Sequence, residues 1–150
     1  MIERYEKFSS IISEIQKKLH KLATDEMKKF GLRGSWAKYL IAMKIHNEGV
    51  TAGQLCTICD RNKADVSRAM AELETEGLVM RADGDTSYRI VFVLTERGAE
   101  IANSLAKRAS YAIDYVSSMT ETERNIFYGA LESISNNLEV LTESGIPDAD

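Results

Sequence analysis

The hydrophobic period of this chain changes once and then changes back. Up to Gly77 the apolar residues recur at steps of three and four, the signature of helices with one buried face. After Gly77 the step shortens. Leu78, Val79 and Met80 lead to a polar tip at Asp83, Gly84 and Asp85, and then Tyr88, Ile90, Phe92 and Leu94 alternate with Arg89, Val91 and Val93. That pattern predicts a β-hairpin. From Thr95 onward the helical step returns. A chain so ordered is mainly α, of the α+β kind, with one two-stranded hairpin set between helices.

The helical segments carry their own start and stop signals. Tyr5, Phe8, Ile11, Ile12, Ile15, Leu19, Leu22 and Met27 predict an amphipathic helix from Ile2 to about Lys29, closed by Gly31. Ser35 then precedes Trp36, Leu40, Ile41, Met43 and Ile45, a second helix ended by the run from Asn47 to Gly49. Thr51 and Gln54 have capping-box spacing and open a short helix over AGQLCTIC, with Asp60 in the turn that follows. Asn62 caps a fourth helix whose Val66, Ala69, Met70 and Leu73 form one apolar face, stopping at Gly77. Leu55, Val66 and Leu73 are expected to share a core. Thr95 caps a fifth helix running through Met119, and Thr120 with Glu123 forms a second capping box. The sixth helix carries Ile126, Phe127, Ala130, Leu131, Ile134, Leu138 and Leu141.

Composition bounds the class. At 150 residues, 44% hydrophobic and 28% charged, the chain fits one domain with a real core, and one Pro with nine Gly argues against linker-rich or repeat architectures. No apolar run approaches the roughly 18 residues of a membrane span, and MIERYEKF is charged where a signal peptide is apolar, so a cytoplasmic location is expected. Two cysteines make no disulfide framework and are expected to be reduced. The net charge of −4 speaks by itself against a nucleic-acid partner, but the charge is segregated. Residues 1–27 carry five basic and five acidic groups, 28–97 eleven and nine, and 98–150 three and nine. The middle of the chain is mildly basic, and the last third holds all the excess negative charge.

Two helices joined by a short turn and followed at once by a hairpin make a winged helix-turn-helix, which presents one helix to the DNA major groove. With Val66 at the centre of the buried face and about 100° per residue, Arg61, Ala64, Ser67, Arg68, Ala71 and Thr75 fall on the opposite side, flanked by Lys63 and Asp65. This face is small and polar at its start, so the backbone can come close to DNA while Arg68 reaches a base edge or a phosphate. Its second half carries Glu72, Glu74 and Glu76, expected to form a solvated face repelled by phosphates. The N-terminal end is therefore the part expected to enter the groove, where the helix dipole also favours an anion.

The run TAGQLCTICDRNKADVSRAMAELETEGLVMR, with LTERG after the hairpin, resembles the MarR family of winged-helix regulators along nearly the whole chain. The matching pieces are Leu55, Asn62-Lys63, Val66-Ser67-Arg68, Leu73 with Glu76-Gly77-Leu78-Val79, and Leu94-Thr95 with Gly98. The resemblance implies one domain over 1–150, with dimerisation helices at about 1–30 and 96–142 and a DNA-binding winged helix at about 35–95. It implies an obligate homodimer on a palindromic double-stranded DNA operator, acting as a repressor, and a small-molecule or redox signal that weakens binding. The DNA contacts it implies are Arg61, Asn62, Lys63, Ala64, Asp65, Ser67, Arg68 and Ala71 on the helix. The family usually carries Asp-x-Arg at the wing tip. Here the register offers Thr86, Ser87 and Tyr88, with Asp85 and Arg89 to either side, so Asp85, Thr86, Ser87 and Arg89 are the wing candidates. Asp60 stands where the family often has Gly, a change that Asp tolerates because it enters left-handed geometry more readily than most residues.

Three further features carry a sharper and a plainer reading. Cys56 and Cys59 form a C-x-x-C that suits a redox switch or half a zinc site, but buried free cysteines also pack as small hydrophobes, and packing is the expectation. His20 and His46 are the only histidines, neither near a second cysteine pair, so no metal and no cofactor is expected. His20, Trp36 and Tyr39 are candidates to line a pocket for a small aromatic or anionic effector, the kind of site where related regulators hold phenolic ligands; the plainer reading is interface packing. No phosphate loop, nucleophile elbow or His-carboxylate cluster suggests an enzyme. The alternatives to a DNA-binding regulator are a winged-helix protein-interaction scaffold and a thiol redox protein using Cys56 and Cys59.

Overall fold

The computed structural model describes residues 2–82, 90–116 and 118–146. They fall into two compact units divided between Ala112 and Ile113. The first unit opens with helix α1, Ile2–Lys29, with Glu3 in its first turn and Lys28 and Lys29 in its last, signs that suit the helix dipole. It closes where Leu32 N–H reaches Met27 O, Gly31 N–H reaches Lys28 O, and Gly31 takes φ +71. The same six-to-one ending recurs twice. Arg61 N–H bonds Cys56 O with Asp60 at φ 49, and Leu78 N–H bonds Leu73 O with Gly77 at φ +67. Asp60 is thus the one non-glycine with positive φ among the described residues, in the turn the sequence assigns to it.

The helix expected to start after Ser35 starts later. Gly34–Trp36 forms a 3-10 turn without a side-chain cap, and helix α2 is Ala37–Ile45. The delay follows from packing: Gly34 lies against the Thr24 side chain, where an added Cβ would sit 2.4 Å from Thr24 Oγ1. A two-residue strand β1, Val50–Thr51, precedes helix α3, Ala52–Cys59. Thr51 ends the strand and caps the helix, its hydroxyl accepting from Gln54 N–H at 3.2 Å while Gln54 Oε1 accepts from Thr51 N–H at 2.9 Å. Helix α4 is Lys63–Thr75, and strands β2, Val79–Arg81, and β3, Val91–Leu94, form the hairpin. β3 is central in an antiparallel sheet of order β1-β3-β2, pairing Val50 with Phe92 and Val79 with Leu94. The two-stranded hairpin of the sequence reading is therefore a three-stranded sheet. Along β3, Phe92 is buried, while Ile90 lies just outside the strand and is exposed.

Leu40 and Met43 of α2, Leu55 and Cys59 of α3, Val66, Met70 and Leu73 of α4, Leu78 and Val79 meet in one core. Leu55, Val66 and Leu73 share it as expected, each fully buried. Helix α5, Glu96–Val116, adds Ile101, Ala102 and Leu105; it ends at Val116 rather than running to Met119. Thr95 caps it, its hydroxyl oxygen accepting from Gly98 N–H at 3.1 Å and donating to Gly77 O at 2.7 Å.

The second unit is built on helix α6, Glu121–Ser144. Thr120 and Glu123 make the expected capping box, and the Thr120 N–H bonded to the Glu123 carboxylate holds that carboxyl below its ordinary range. No α6 residue is buried in the single chain, and Phe127 and Tyr128 meet edge to face at 5.5 Å. No helix among the described residues is long and apolar enough to cross a membrane.

Candidate nucleic-acid interface

The interface is assembled by the turn between α3 and α4. Left-handed Asp60 reverses the chain, and Lys38 of α2 fixes the end of α3 by donating its ammonium to Cys59 O at 2.5 Å. Asn62 then caps α4: its Oδ1 accepts from Asp65 N–H at 2.8 Å and its Nδ2 donates to Asp65 Oδ2 at 3.0 Å. Asn62 and Asp65 are thus joined to each other at the start of the helix. That cap sets the rotation of α4. Val66, Ala69, Met70 and Leu73 turn inward to the core, and Lys63, Ala64, Ser67, Arg68, Ala71 and Thr75 are exposed, as is Arg61 just before the helix. The stripe places two alanines and a serine around Arg68, so little side-chain bulk stands between the backbone and an approaching surface.

The electrostatics of α4 divide it in two. At its N-terminal end Arg61, Lys63 and Arg68 have no ion-pair partner among the described residues. At its C-terminal end the acids expected to be a solvated face are mostly engaged. Glu72 accepts from Arg33 Nη1 at 2.8 Å and from Trp36 Nε1 at 3.2 Å, and Glu74 accepts from Arg81 Nε at 3.1 Å. Both carboxylates are about one-third exposed or less. Glu76 is exposed, and its backbone carbonyl accepts from Arg97. These pairings have no local signature, because Arg33 lies far upstream, before α2, and Arg81 sits on β2. The repulsion expected from three free carboxylates is therefore reduced to that of one.

The other candidates separate. Asp85, Thr86, Ser87 and Arg89 lie outside the described residues. Of the effector candidates, Trp36 and Tyr39 are buried and His20 is exposed on α1. Trp36 lines a cleft of about 280 Å³ that opens along the outer stripe of α4 beside Arg33, Arg68, Ala71, Glu72 and Thr75. A second cleft, of about 260 Å³, lies at the end of α2 against β3 and the start of α5, around Lys44, His46 and Asn103. Neither is lined by His20 or Tyr39. Burial pushes the Tyr39 phenol above its ordinary range, with Cys59 adding to the shift.

Cys59 is fully buried and Cys56 partly so; both are free thiols. Burial raises the Cys59 thiol, and its weak contact to Lys38 O, 3.9 Å, mirrors the Lys38 bond to Cys59 O. A thiolate there is disfavoured. Native protein treated with a thiol reagent at neutral pH is expected to be modified at Cys56 at most, and at both cysteines in denaturant; rapid native labelling of Cys59 would contradict the packing. Among the described residues no group of three or more His, Cys, Asp or Glu side chains is placed to hold a metal.

No protein-family model matches the chain, and no curated protein matches it by sequence. Solved structures do. A putative MarR family transcriptional regulator from Listeria monocytogenes, in complex with a 26-mer DNA, superposes with a TM-score of 0.77 at 21% identity, covering 94% of this chain and 97% of that one. The transcriptional regulator SlyA gives 0.76 at 17% identity over 87% of this chain and 93% of its own. MepR of S. aureus bound to DNA gives 0.71 at 19% identity over 87% and 97%. The chain has the winged-helix fold of these regulators.

Proposed function

We propose that this chain is a MarR-family regulator: a homodimer that binds a palindromic double-stranded DNA operator through α4, represses, and is released by a small aromatic or anionic effector. The observation that carries the reading is the N-terminal half of α4, an exposed stripe of small residues around Arg68, which has no ion-pair partner among the described residues, backed by a fully apolar buried face. Such a helix can lie close in a major groove and still reach base edges. The likeness to folds solved with DNA supports it. The hairpin tip, with Arg89 and its neighbours Asp85, Thr86 and Ser87, straddles the adjacent backbone in this reading. The function is binding, not catalysis.

The homodimer is supported by apolar stripes that a single chain leaves in water. On α1, Tyr5, Phe8, Ile11, Ile15, Leu19 and Leu22 are all exposed, and on α6 Ile126, Phe127, Ile134 and Leu138 are exposed as well. Surfaces of this kind mark association sites. Sedimentation at micromolar concentration is expected to show a dimer, and a stable monomer would contradict it. Binding both half-sites of a palindrome then requires the two-fold-related α4 helices to stand about 34 Å apart, one turn of B-DNA.

The test is selection of bound sequences from random duplex DNA by the purified protein. An enriched palindrome is the expected result, and absence of enrichment would favour a protein-binding scaffold instead. Lys63 stands at the edge of the stripe, so Lys63→Ala is expected to weaken all duplexes alike and to lower the salt slope of binding by about 0.9 per protomer, about 1.8 for the dimer. A change confined to one sequence would assign Lys63 to base reading.

A further inference from the structure

We infer that Arg33 is a backbone-phosphate contact of this interface, held in place before DNA arrives by Glu72 and Trp36. The inference rests on α4 being the DNA-reading helix. Arg33 belongs to the loop between α1 and α2, yet it lines the same cleft as Arg68, along the outer stripe of α4. Two contacts fix its guanidinium there, and a third fixes their partners to each other. Nη1 donates to Glu72 Oε2 at 2.8 Å, the guanidinium carbon lies 5.4 Å from the centre of the Trp36 ring, and the Trp36 indole donates to the same Oε2 at 3.2 Å. Trp36 is only 5% exposed, so it is a fixed platform, whereas the Arg33 side chain is 66% exposed.

An exposed arginine ordinarily loses rotamer freedom when it binds a phosphate. Here the cation–π contact with Trp36 and the Glu72 bond restrict the side chain in advance. Guanidinium has five N–H donors in a planar fork, and one engaged at Nη1 leaves others for a phosphate oxygen. The position selects phosphate over base. With α4 in the major groove, its own side chains face the groove floor, and a cation carried beside the helix by another element faces the phosphate wall. Glu72 has the opposite effect on affinity: it orients Arg33 but cancels its charge, so the pair trades attraction for order.

Binding of the full-length protein to the selected duplex and to an unrelated duplex of equal length, across a salt series, tests this. Arg33→Gln is expected to weaken both complexes several-fold alike and to lower the salt slope by about 0.9 per protomer, about 1.8 for the dimer, while Arg33→Lys retains the slope. Glu72→Gln, which still accepts from the Trp36 indole, is expected to tighten both complexes. Trp36 is the single tryptophan of the chain, so its emission is expected to change as duplex is added to the wild type and not to change in Arg33→Gln. An unaltered slope in Arg33→Gln, with Arg68→Ala clearly weakened, overturns the inference and leaves the reading of α4 standing. If circular dichroism shows Arg33→Gln unfolded, Arg33→Met, which keeps an apolar stem beside Trp36, decides: a wild-type salt slope overturns it. Failure of the wild type to bind any duplex overturns the reading of α4 and this inference with it.

Discussion

Gly98→Ala is expected to lower stability by about 3 kcal/mol, at the upper end of what overpacking a well-filled site costs. An added Cβ would stand 1.9 Å from Leu78 O, 2.9 Å from its carbonyl carbon and 3.3 Å from its Cα, all backbone atoms that cannot rotate aside. The neighbourhood is also tied down. Leu78 O accepts from Thr95 N–H at 3.0 Å, the Thr95 hydroxyl donates to Gly77 O at 2.7 Å, and Arg97 Nη1 donates to Glu76 O at 2.9 Å. Relief would require α5 to lift off the entry to the hairpin and break this set. The helix-propensity gain of Ala over Gly, about 0.5–1 kcal/mol, offsets only part of the loss. Gly129→Ala is the control, because nothing lies within 4 Å of a Cβ there, and it is expected to stabilise α6 by up to about 1 kcal/mol. Urea or thermal denaturation of the two variants checks both signs. Equal stability of Gly98→Ala and wild type would mean that α5 does not approach Leu78 so closely.

The resemblance that placed Gly98 after the wing had no physical reason attached to it; the reason is this contact, which joins residues far apart in sequence and has no local signature. Other features were legible because their physics is local. Caps and helix ends depend on a few neighbouring residues, and Thr51, Asp60, Asn62, Gly77, Thr95 and Thr120 all act as their positions predict. The buried face of α4 was legible for the same reason, since Val66, Ala69, Met70 and Leu73 recur at helical spacing. Strand β1 was not. Two residues are too few to show alternation, and Val50 is a strand residue only because Phe92 lies opposite. The start of α2 was displaced by the tertiary contact of Gly34 with Thr24.

At the candidate site the same division holds. The exposed stripe of α4 followed from periodicity, but its charge state did not. Counting Glu72, Glu74 and Glu76 suggested an acidic half-helix, whereas Arg33 and Arg81 come from other elements to pair with the first two. These ion pairs are partly exposed and contribute little to stability, on the order of 1 kcal/mol or less each. Their larger consequence is electrostatic: the second half of α4 keeps one unpaired carboxylate, Glu76, among the described residues instead of three, and repels a polyanion correspondingly less.

Arg68→Ala is expected to weaken operator binding by about 1–3 kcal/mol per half-site if the guanidinium reads a base edge, roughly fivefold to more than a hundredfold for each reading head. Arg68 is the long cation in the middle of the exposed stripe, one helical turn after Ala64 and one before Ala71 and Glu72, with no ion-pair partner among the described residues. Its neighbours Ser67 and Ala71 are short, so Arg68 is the long side chain at the middle of that face, with Arg61 and Lys63 at its N-terminal end. Removing it is therefore expected to relax sequence preference at one base-pair position in each half-site, which repeating the random-duplex selection with the variant would read directly. A phosphate role gives a different signature: all duplexes weaken alike and the salt slope falls by about 0.9 per protomer, about 1.8 for the dimer, with the preferred sequence unchanged. The stability of the fold is not at issue in either case, because Arg68 is exposed and the α4 core face is on the other side of the helix. Wild-type affinity and wild-type selectivity in Arg68→Ala would remove the central cation from the interface and, with it, the observation on which the DNA-binding reading rests.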